Sequence, residues 1–373
     1  MKLNTAKKLS LCMIVHNEEQ WLRKCLSSIR EAVDEIIIVD TGSTDRTREI
    51  AEEYGAAVYD YSWQDDFSAA RNYSLEQATG DWVLWLDADE EVESGGAMNV
   101  RQVLETDSET TLLAGIHLFS YFGEGPPDRR RAHGMNQIRM FRRERGFRFR
   151  GNVHEQLYLP DENIVQSMVI QLPVTVYHYG YMDETVSLRD KDKRNMLLLQ
   201  QEKNQGSPDP WIDYHMASVL YRREAFDEAY QYVNSSISQF VQQGYLPPSL
   251  LYKLKYSILL VTSPTRESVS GIDLAIQLYP DYIDLYYTKG LMLFQMGLFQ
   301  EAAEVFQKCI ALGEDCNEHL TTKGAGSFLA CYYLGRCYLA TGNDKLAQTA
   351  LQEALLLNPE YTEAEELLRK MDV

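Results

Sequence analysis

The hydrophobic pattern of this chain changes its period once, and that change limits the folds open to it. Up to about residue 182, short apolar runs of strand length alternate with stretches whose apolar residues recur at helical spacing. Residues 9–15, 35–39, 56–59 and 82–86 read as strands, and residues 19–32, 44–54 and 68–78 as helices. The first of these helices shows its period in Trp21, Leu22, Cys25, Leu26 and Ile29. Apolar strands joined by crossover helices predict an α/β layer with a mostly parallel sheet covered on both faces. Ligands of such sheets bind beyond the carboxyl ends of the strands.

From about Trp211 the strand signal is gone and a helical repeat takes over. Gly290, Phe294, Ala302 and Phe306 in one segment match Gly335, Tyr338, Ala347 and Leu351 in the next, where Ala354 and Pro359 complete the copy. Small residues fall where paired helices must approach closely, and bulky ones fill the gap between pairs. This order resembles the tetratricopeptide pattern of about 34 residues per helical pair. Two weaker copies come before, one around Ala217, Ala229 and Val233, the other ending at Ala275 and Pro280, so four repeats are expected. The Asn-Gln-Gly-Ser-Pro-Asp-Pro stretch at 204–210 is the natural hinge. The predicted division is a catalytic α/β domain over 1–206 and an all-α repeat domain over 207–373. A chain of 373 residues is long enough for both.

Bulk composition narrows the function classes. A formal charge of −19, from 36 Lys+Arg against 55 Asp+Glu, argues against general affinity for nucleic acid or anionic membrane. Nine arginines between Arg129 and Arg150 nevertheless make a local basic stretch, either a solvated face or an anion site. The six cysteines show no Cys-x-x-Cys spacing and mostly sit in apolar contexts, which fits buried free thiols in a reducing cytoplasm. The apolar run near the amino terminus is too short for a signal peptide, and no run is long enough to span a membrane.

The chemistry is concentrated in Trp-Val-Leu-Trp-Leu-Asp-Ala-Asp-Glu-Glu at 82–91. A buried strand ending in Asp87 and Asp89 puts two carboxylates on one side of an extended backbone, where hard oxygen ligands suit Mg²⁺ or Mn²⁺. An Asp-x-Asp triplet alone also arises in solvated turns, so its companions matter. Residues 36–47, Ile-Ile-Ile-Val-Asp-Thr-Gly-Ser-Thr-Asp-Arg-Thr, are a strand ending at Asp40 followed by a tight turn and a helix cap. A carboxylate there can accept the imide N–H of a uracil base.

Together with Met13, Val15, Asn17 and Glu18, and with Ala70-Arg71-Asn72, these segments resemble the family 2 glycosyltransferases of the GT-A, Rossmann-like fold, closely over about residues 9–95. The resemblance implies a UDP-sugar donor, with Val15, Asn17, Glu18, Asp40, Arg71 and Asp87 around the nucleotide, and a divalent cation, Mn²⁺ or Mg²⁺, on Asp87 and Asp89. Arg71 could equally form a salt bridge tying helix to sheet.

Further along, Arg-Gly-Asn-Val-His-Glu-Gln-Leu at 150–157 and Val-Thr-Val-Tyr-His-Tyr-Gly-Tyr at 174–181 are similar to a bacterial subgroup in which the transferase domain is fused to tetratricopeptide repeats. That subgroup includes enzymes that glycosylate peptides and proteins, and it implies His178 as a further metal ligand. An isolated histidine there would otherwise be a satisfied core residue. With Asp87 and Asp89 committed to the cation, Glu155 is the candidate base for an inverting transfer, the alternative being a plain pairing with a nearby arginine. Arg142, Arg150, His154 and Arg194 are candidates for the diphosphate or acceptor, and Arg139 and Lys193 belong to the same cationic set. The Gly- and Pro-rich stretch 121–137 reads as a loop, either near the acceptor site or a plain surface excursion.

A Gln-x-x-Arg-Trp signature of processive synthases is absent, so a single sugar is expected to move. The repeats suggest a peptide or protein acceptor, and their exposed ends suggest a homodimer. The alternatives are a protein-binding scaffold with a vestigial transferase domain, and a transferase acting on a cell-envelope glycan or lipid-linked acceptor. Nucleotidyl transfer is disfavoured because His-Asn-Glu-Glu stands where a Gly-rich loop would be needed.

Overall fold

A computed structural model describes residues 7–106, 110–129, 131–158, 166–182, 191–314 and 318–371. Two compact units result, one of residues 1–127 with 135–205, the other of residues 128–134 with 206–373.

In the first unit, β1 (Leu9–Val15), α1 (Leu22–Ile29), β2 (Glu35–Asp40), α2 (Thr47–Glu53), β3 (Ala57–Asp60), α3 (Phe67–Gln77) and β4 (Trp82–Trp85) alternate as the hydrophobic periods require. α1 buries Leu22, Cys25, Leu26 and Ile29, the stripe of one helical face. Each large side chain so buried contributes about 1.5–3 kcal/mol. Asp66 starts α3 by accepting the Ala69 N–H at 2.9 Å, a cap worth about 1 kcal/mol.

Strands β3, β2, β1 and β4 are parallel neighbours, with Val15 opposite Asp40 and Cys12 opposite Trp85. The carboxyl ends of β1, β2 and β4 therefore share one edge. Beyond β4 the sheet departs from the expected mostly parallel arrangement. It continues through β5 (Glu90–Val92), α4 (Gly96–Thr106), β6 (Leu113–Gly123), β7 (Ala132–Arg142), β8 (Arg148–Arg150), β9 (Gln156–Tyr158) and β10 (Val169–Met182). The order across the sheet is β3-β2-β1-β4-β7-β6-β10-β5. β7 runs antiparallel to β4, and β5 antiparallel to β10, while β6 and β10 are parallel. Among the described residues no helix lies between β6 and β7, which removes the crossover that a parallel connection demands. The stretch expected as a loop at 121–137 contributes its first residues to β6 and its last to β7. α5 (Lys191–Asn204) completes this unit.

The second unit stacks α6 (Trp211–Arg222) with α7 (Phe226–Gln242), α8 (Ser249–Thr262) with α9 (Arg266–Leu278), α10 (Ile283–Gln295) with α11 (Phe299–Leu312), and α12 (Phe328–Ala340) with α13 (Asp344–Leu357). α14 (Thr362–Met371) follows. A Cβ on Gly290 would stand 2.7 Å from the Phe306 ring, and one on Gly335 would stand 2.8 Å from Leu351. The small-against-bulky order read in the sequence is thus the contact between paired helices. His133 and Gly134 belong to this unit, pairing with Thr322 and Thr321. Among the described residues no helix is long and apolar enough to cross a membrane.

Candidate active site

The loop after β1 and the loop after β2 are laced together by side chains. Asn17 adopts a left-handed backbone with φ of 56°, a conformation Asn tolerates better than most residues. Its Oδ1 accepts the Thr44 N–H at 2.8 Å, and its own N–H is donated to Ser43 Oγ at 3.0 Å. The Glu18 N–H is donated to Thr47 Oγ1 at 2.6 Å, and the Val15 carbonyl accepts the Thr41 N–H. Asp40 is 5% exposed. Its Oδ1 takes the N–H groups of Gly42 and Ser43 at 3.1 and 2.8 Å, and among the described residues its Oδ2 has no hydrogen bond. One carboxylate oxygen thus shapes the turn.

Asp87 and Asp89 do not lie on an extended strand. β4 ends at Trp85, and the acidic triplet forms a turn closed by the Glu90 N–H on the Asp87 carbonyl at 3.1 Å. Strand alternation therefore does not govern the two carboxylates, and they face different partners. Asp87 Oδ1 accepts from Arg71 Nη2 at 2.6 Å. Arg71 also donates through Nε to Glu155 Oε1, so one buried guanidinium joins α3, the turn and the segment after β8. Burial works to raise the Asp87 carboxyl, but Arg71 and Arg139 outweigh it and hold it below the ordinary carboxylate range. The remainder of the Ala-Arg-Asn motif is structural: Ala70 is fully buried, and Asn72 exchanges two hydrogen bonds with the Phe149 backbone.

Asp89 turns to the other side. The antiparallel register of β5 and β10 sets His178 opposite Glu90, and the Tyr179 N–H is donated to the Asp89 carbonyl at 3.1 Å. His178 Nε2 then lies 3.5 Å from Asp89 Oδ1, while its Nδ1 is 3.4 Å from Ser120 Oγ. Burial acts to depress the imidazole, but the charges of Asp89, Glu90 and Asp87 prevail and raise it. A Cβ placed on Gly180 would meet Asp89 Oδ2 and stand 2.6 Å from His178 Nε2. Glycine keeps open the space into which a carboxylate oxygen and an imidazole nitrogen both point, a donor set that fits a Mn²⁺- or Mg²⁺-sized ion with its remaining ligands supplied from elsewhere. Among the described residues no group of three or more acidic, His or Cys side chains is clustered for a metal.

The other candidates fall in different places. Arg142 pairs across from Trp82, at the amino end of β4, where its Nε donates to the Thr111 carbonyl at 2.6 Å and its guanidinium covers the Trp82 ring. Strand direction puts Arg142, expected near the diphosphate or acceptor, at the far end of β4 from Asp87. Arg150 lies over the Tyr158 ring in the small β8–β9 ribbon, and Arg194 lies over Phe67. His154 precedes Glu155 with a left-handed φ of 55°.

Three further residues complete the site. Glu90, 1% exposed, accepts the Asp87 N–H with one oxygen and Arg139 Nη2 with the other, both within 2.9 Å. Burial pushes its carboxyl up to about 7 in spite of Arg139. Arg139 itself lies flat over Trp85, 3.7 Å from the ring centre. Lys191, on α5, brings its ammonium to 3.5 Å from Asp89 Oδ2. Glu90 was within reach of sequence reasoning because it adjoins the triplet, whereas Lys191 lies a hundred residues away with no motif around it.

Both parts of the chain are similar to known proteins. The glycosyl transferase family 2 profile matches residues 10–229, and tetratricopeptide repeat profiles match residues 283–316 and 328–361. A TPR repeat-containing protein of Synechococcus elongatus is 29% identical over 306 residues, 80% of this chain and 72% of that one. The SPbeta prophage-derived glycosyltransferase SunS of Bacillus subtilis is 28% identical over 289 residues, 75% of this chain and 65% of that one. Among solved structures, glucosyl-3-phosphoglycerate synthase of Mycobacterium tuberculosis, in complex with Mn²⁺, UDP and its product, matches 31% of this chain and 45% of its own at 24% identity with a TM-score of 0.27. With more than half its length matched by the family profile, the chain belongs to glycosyl transferase family 2 and carries tetratricopeptide repeats behind its catalytic domain.

Proposed function

We propose that this glycosyltransferase moves one sugar from a UDP-sugar to a peptide or protein side chain, with inversion at the anomeric carbon and with a divalent cation, Mn²⁺ or Mg²⁺, held by Asp89 and His178. The observation that carries this reading is the cradle at Gly180, where Asp89 and His178 converge beside the carboxyl ends of β1, β2 and β4. Asp40, with Oδ2 available, receives the base, and the laced Asn17–Ser43–Thr44 turn supports it. A cation bound in the cradle supplies positive charge to the departing diphosphate.

Glu155 takes the proton from the acceptor hydroxyl or thiol as that atom bonds to the anomeric carbon and the bond to the diphosphate oxygen breaks. Arg71 holds Glu155 through Oε1, which orients the carboxylate and leaves Oε2 toward the acceptor. The same guanidinium keeps Asp87 ionised for the nucleotide. The repeats suit an extended polypeptide acceptor because stacked helical pairs present long surfaces. Buried, unpaired thiols at Cys12, Cys25, Cys309, Cys331 and Cys337 are in keeping with work in a reducing cytoplasm.

Incubation with a panel of UDP-sugars, following UDP release with Mn²⁺ and with EDTA, tests this reading. Release from at least one donor, abolished by EDTA, is expected. No release from any of them overturns the reading. Mass spectrometry of proteins encoded by neighbouring genes, after incubation with that donor, then finds the acceptor. Glu155→Gln should leave UDP affinity within about twofold while lowering transfer by roughly 10²–10⁴.

A further inference from the structure

Resting on the transferase reading above, we propose that Lys191 is the resident counter-cation of Asp89 in the metal-free protein and binds the donor diphosphate once a divalent ion takes that carboxylate.

Lys191 belongs to α5, but among the described residues its ammonium makes no pair within that helix. Its ammonium instead reaches into the cradle, 3.5 Å from Asp89 Oδ2, and donates to the Gly180 carbonyl at 3.3 Å. Asp89 is nearly buried, whereas the lysine side chain keeps 22% of its exposure. A buried carboxylate needs compensating charge, and beside His178 one such group, Lys191, sits at the solvent edge.

The pair is loosely made. Charge-assisted N–H···O bonds close to about 2.7–2.9 Å, as Arg71 and Asp87 do at 2.6 Å, yet Lys191 stands off at 3.5 Å. Arg71 is locked between two carboxylates and stacked against Trp85, while among the described residues Lys191 is tethered only to Asp89 and one carbonyl. A divalent charge on Asp89 would repel the ammonium from this spot. The phosphate oxygens of a nucleotide bound beside the cradle would then offer the ammonium a new negative partner. Lysine, a compact point charge on a flexible stem, suits such a transfer between partners better than arginine's rigid fork.

Two readouts with opposite signs follow. For Lys191→Met, Mn²⁺ binding without nucleotide, read from the free-ion electron paramagnetic resonance signal, should tighten about threefold to fivefold as a competing cation is removed. UDP binding by the same variant at saturating Mn²⁺, read calorimetrically, should weaken about tenfold or more. Lys191→Arg should keep UDP affinity close to wild type, because the charge remains. Lys191→Gln serves as a second neutral variant, and thermal melting of each checks the fold.

Weaker Mn²⁺ binding by both neutral variants would overturn the proposal, since the lysine would then be helping to build the cradle. Unchanged UDP affinity would overturn it as well. Wild-type protein without any Mn²⁺-dependent UDP binding would instead remove the transferase reading on which the proposal rests.

Discussion

Gly180→Ala isolates the cradle from everything else in the protein. The backbone at this position lies outside the left-handed region, so alanine meets no conformational penalty there. The cost is steric and local: the new Cβ would stand 2.6 Å from His178 Nε2, and it meets Asp89 Oδ2 at the same time. Real Cβ contacts essentially never fall below 3.0 Å, so the imidazole must move by at least the 0.4 Å between 2.6 and 3.0 Å, with Asp89 moving too. Metal–ligand distances tolerate about 0.2 Å. Both groups are thus pushed beyond tolerance, and Mn²⁺ affinity should fall by roughly 10–100-fold, the range seen when ligand-orienting contacts are lost. Overpacking one methyl costs about 1–3 kcal/mol, equivalent to a few degrees in the melting temperature of a unit this size. Calorimetric Mn²⁺ titration beside a melting curve separates the two effects. A variant that binds Mn²⁺ as tightly as wild type would refute the assignment of the cradle, whatever its melting temperature.

Arg71→Met should lower stability by about 3–5 kcal/mol, because Glu155 and Asp87 lose their shared cation in a low-exposure setting. Adding Glu155→Gln should recover part of that loss in denaturant unfolding, and a loss below about 1 kcal/mol in the single variant would contradict the role given to the guanidinium. Burial pushes the thiols of Cys12 and Cys337 up to about 12 and that of Cys331 up to about 11. At pH 8 their reactive thiolate fraction is on the order of 10⁻³ or less, so alkylation should require denaturant. Rapid labelling of Cys12 in the native protein, mapped by mass spectrometry, would contradict its burial.

The strands and helices of residues 9–86 were legible because each carries its own period, and the repeat was legible because glycines face bulky side chains, Phe306 and Leu351, at a fixed offset. What sequence could not supply was direction. The antiparallel entry of β7 depends on a missing crossover helix, and that direction sends Arg142 to the amino end of β4. The acidic triplet was legible as chemistry but not as geometry: a hydrogen-bonded turn, set by Glu90 and the Asp87 carbonyl, divides Asp87 from Asp89. Arg71 was weighed as a nucleotide contact or a salt bridge, and in the structure it bridges Asp87 and Glu155. Lys191 and Gly180 gave no signal because their roles depend on where β10 and α5 bring them, a matter of tertiary packing alone. His178 reaches Asp89 through one strand register, which the alternation of 174–181 hinted at without fixing a partner.

The most direct test of the account is calorimetric titration of UDP into wild type and Asp89→Ala, each with Mn²⁺ and with EDTA. UDP binding by wild type should depend on Mn²⁺ and be lost in EDTA, and Asp89→Ala should weaken it by at least about a hundredfold. UDP binding of equal strength in wild type with and without Mn²⁺, or in Asp89→Ala and wild type with Mn²⁺ present, would contradict it.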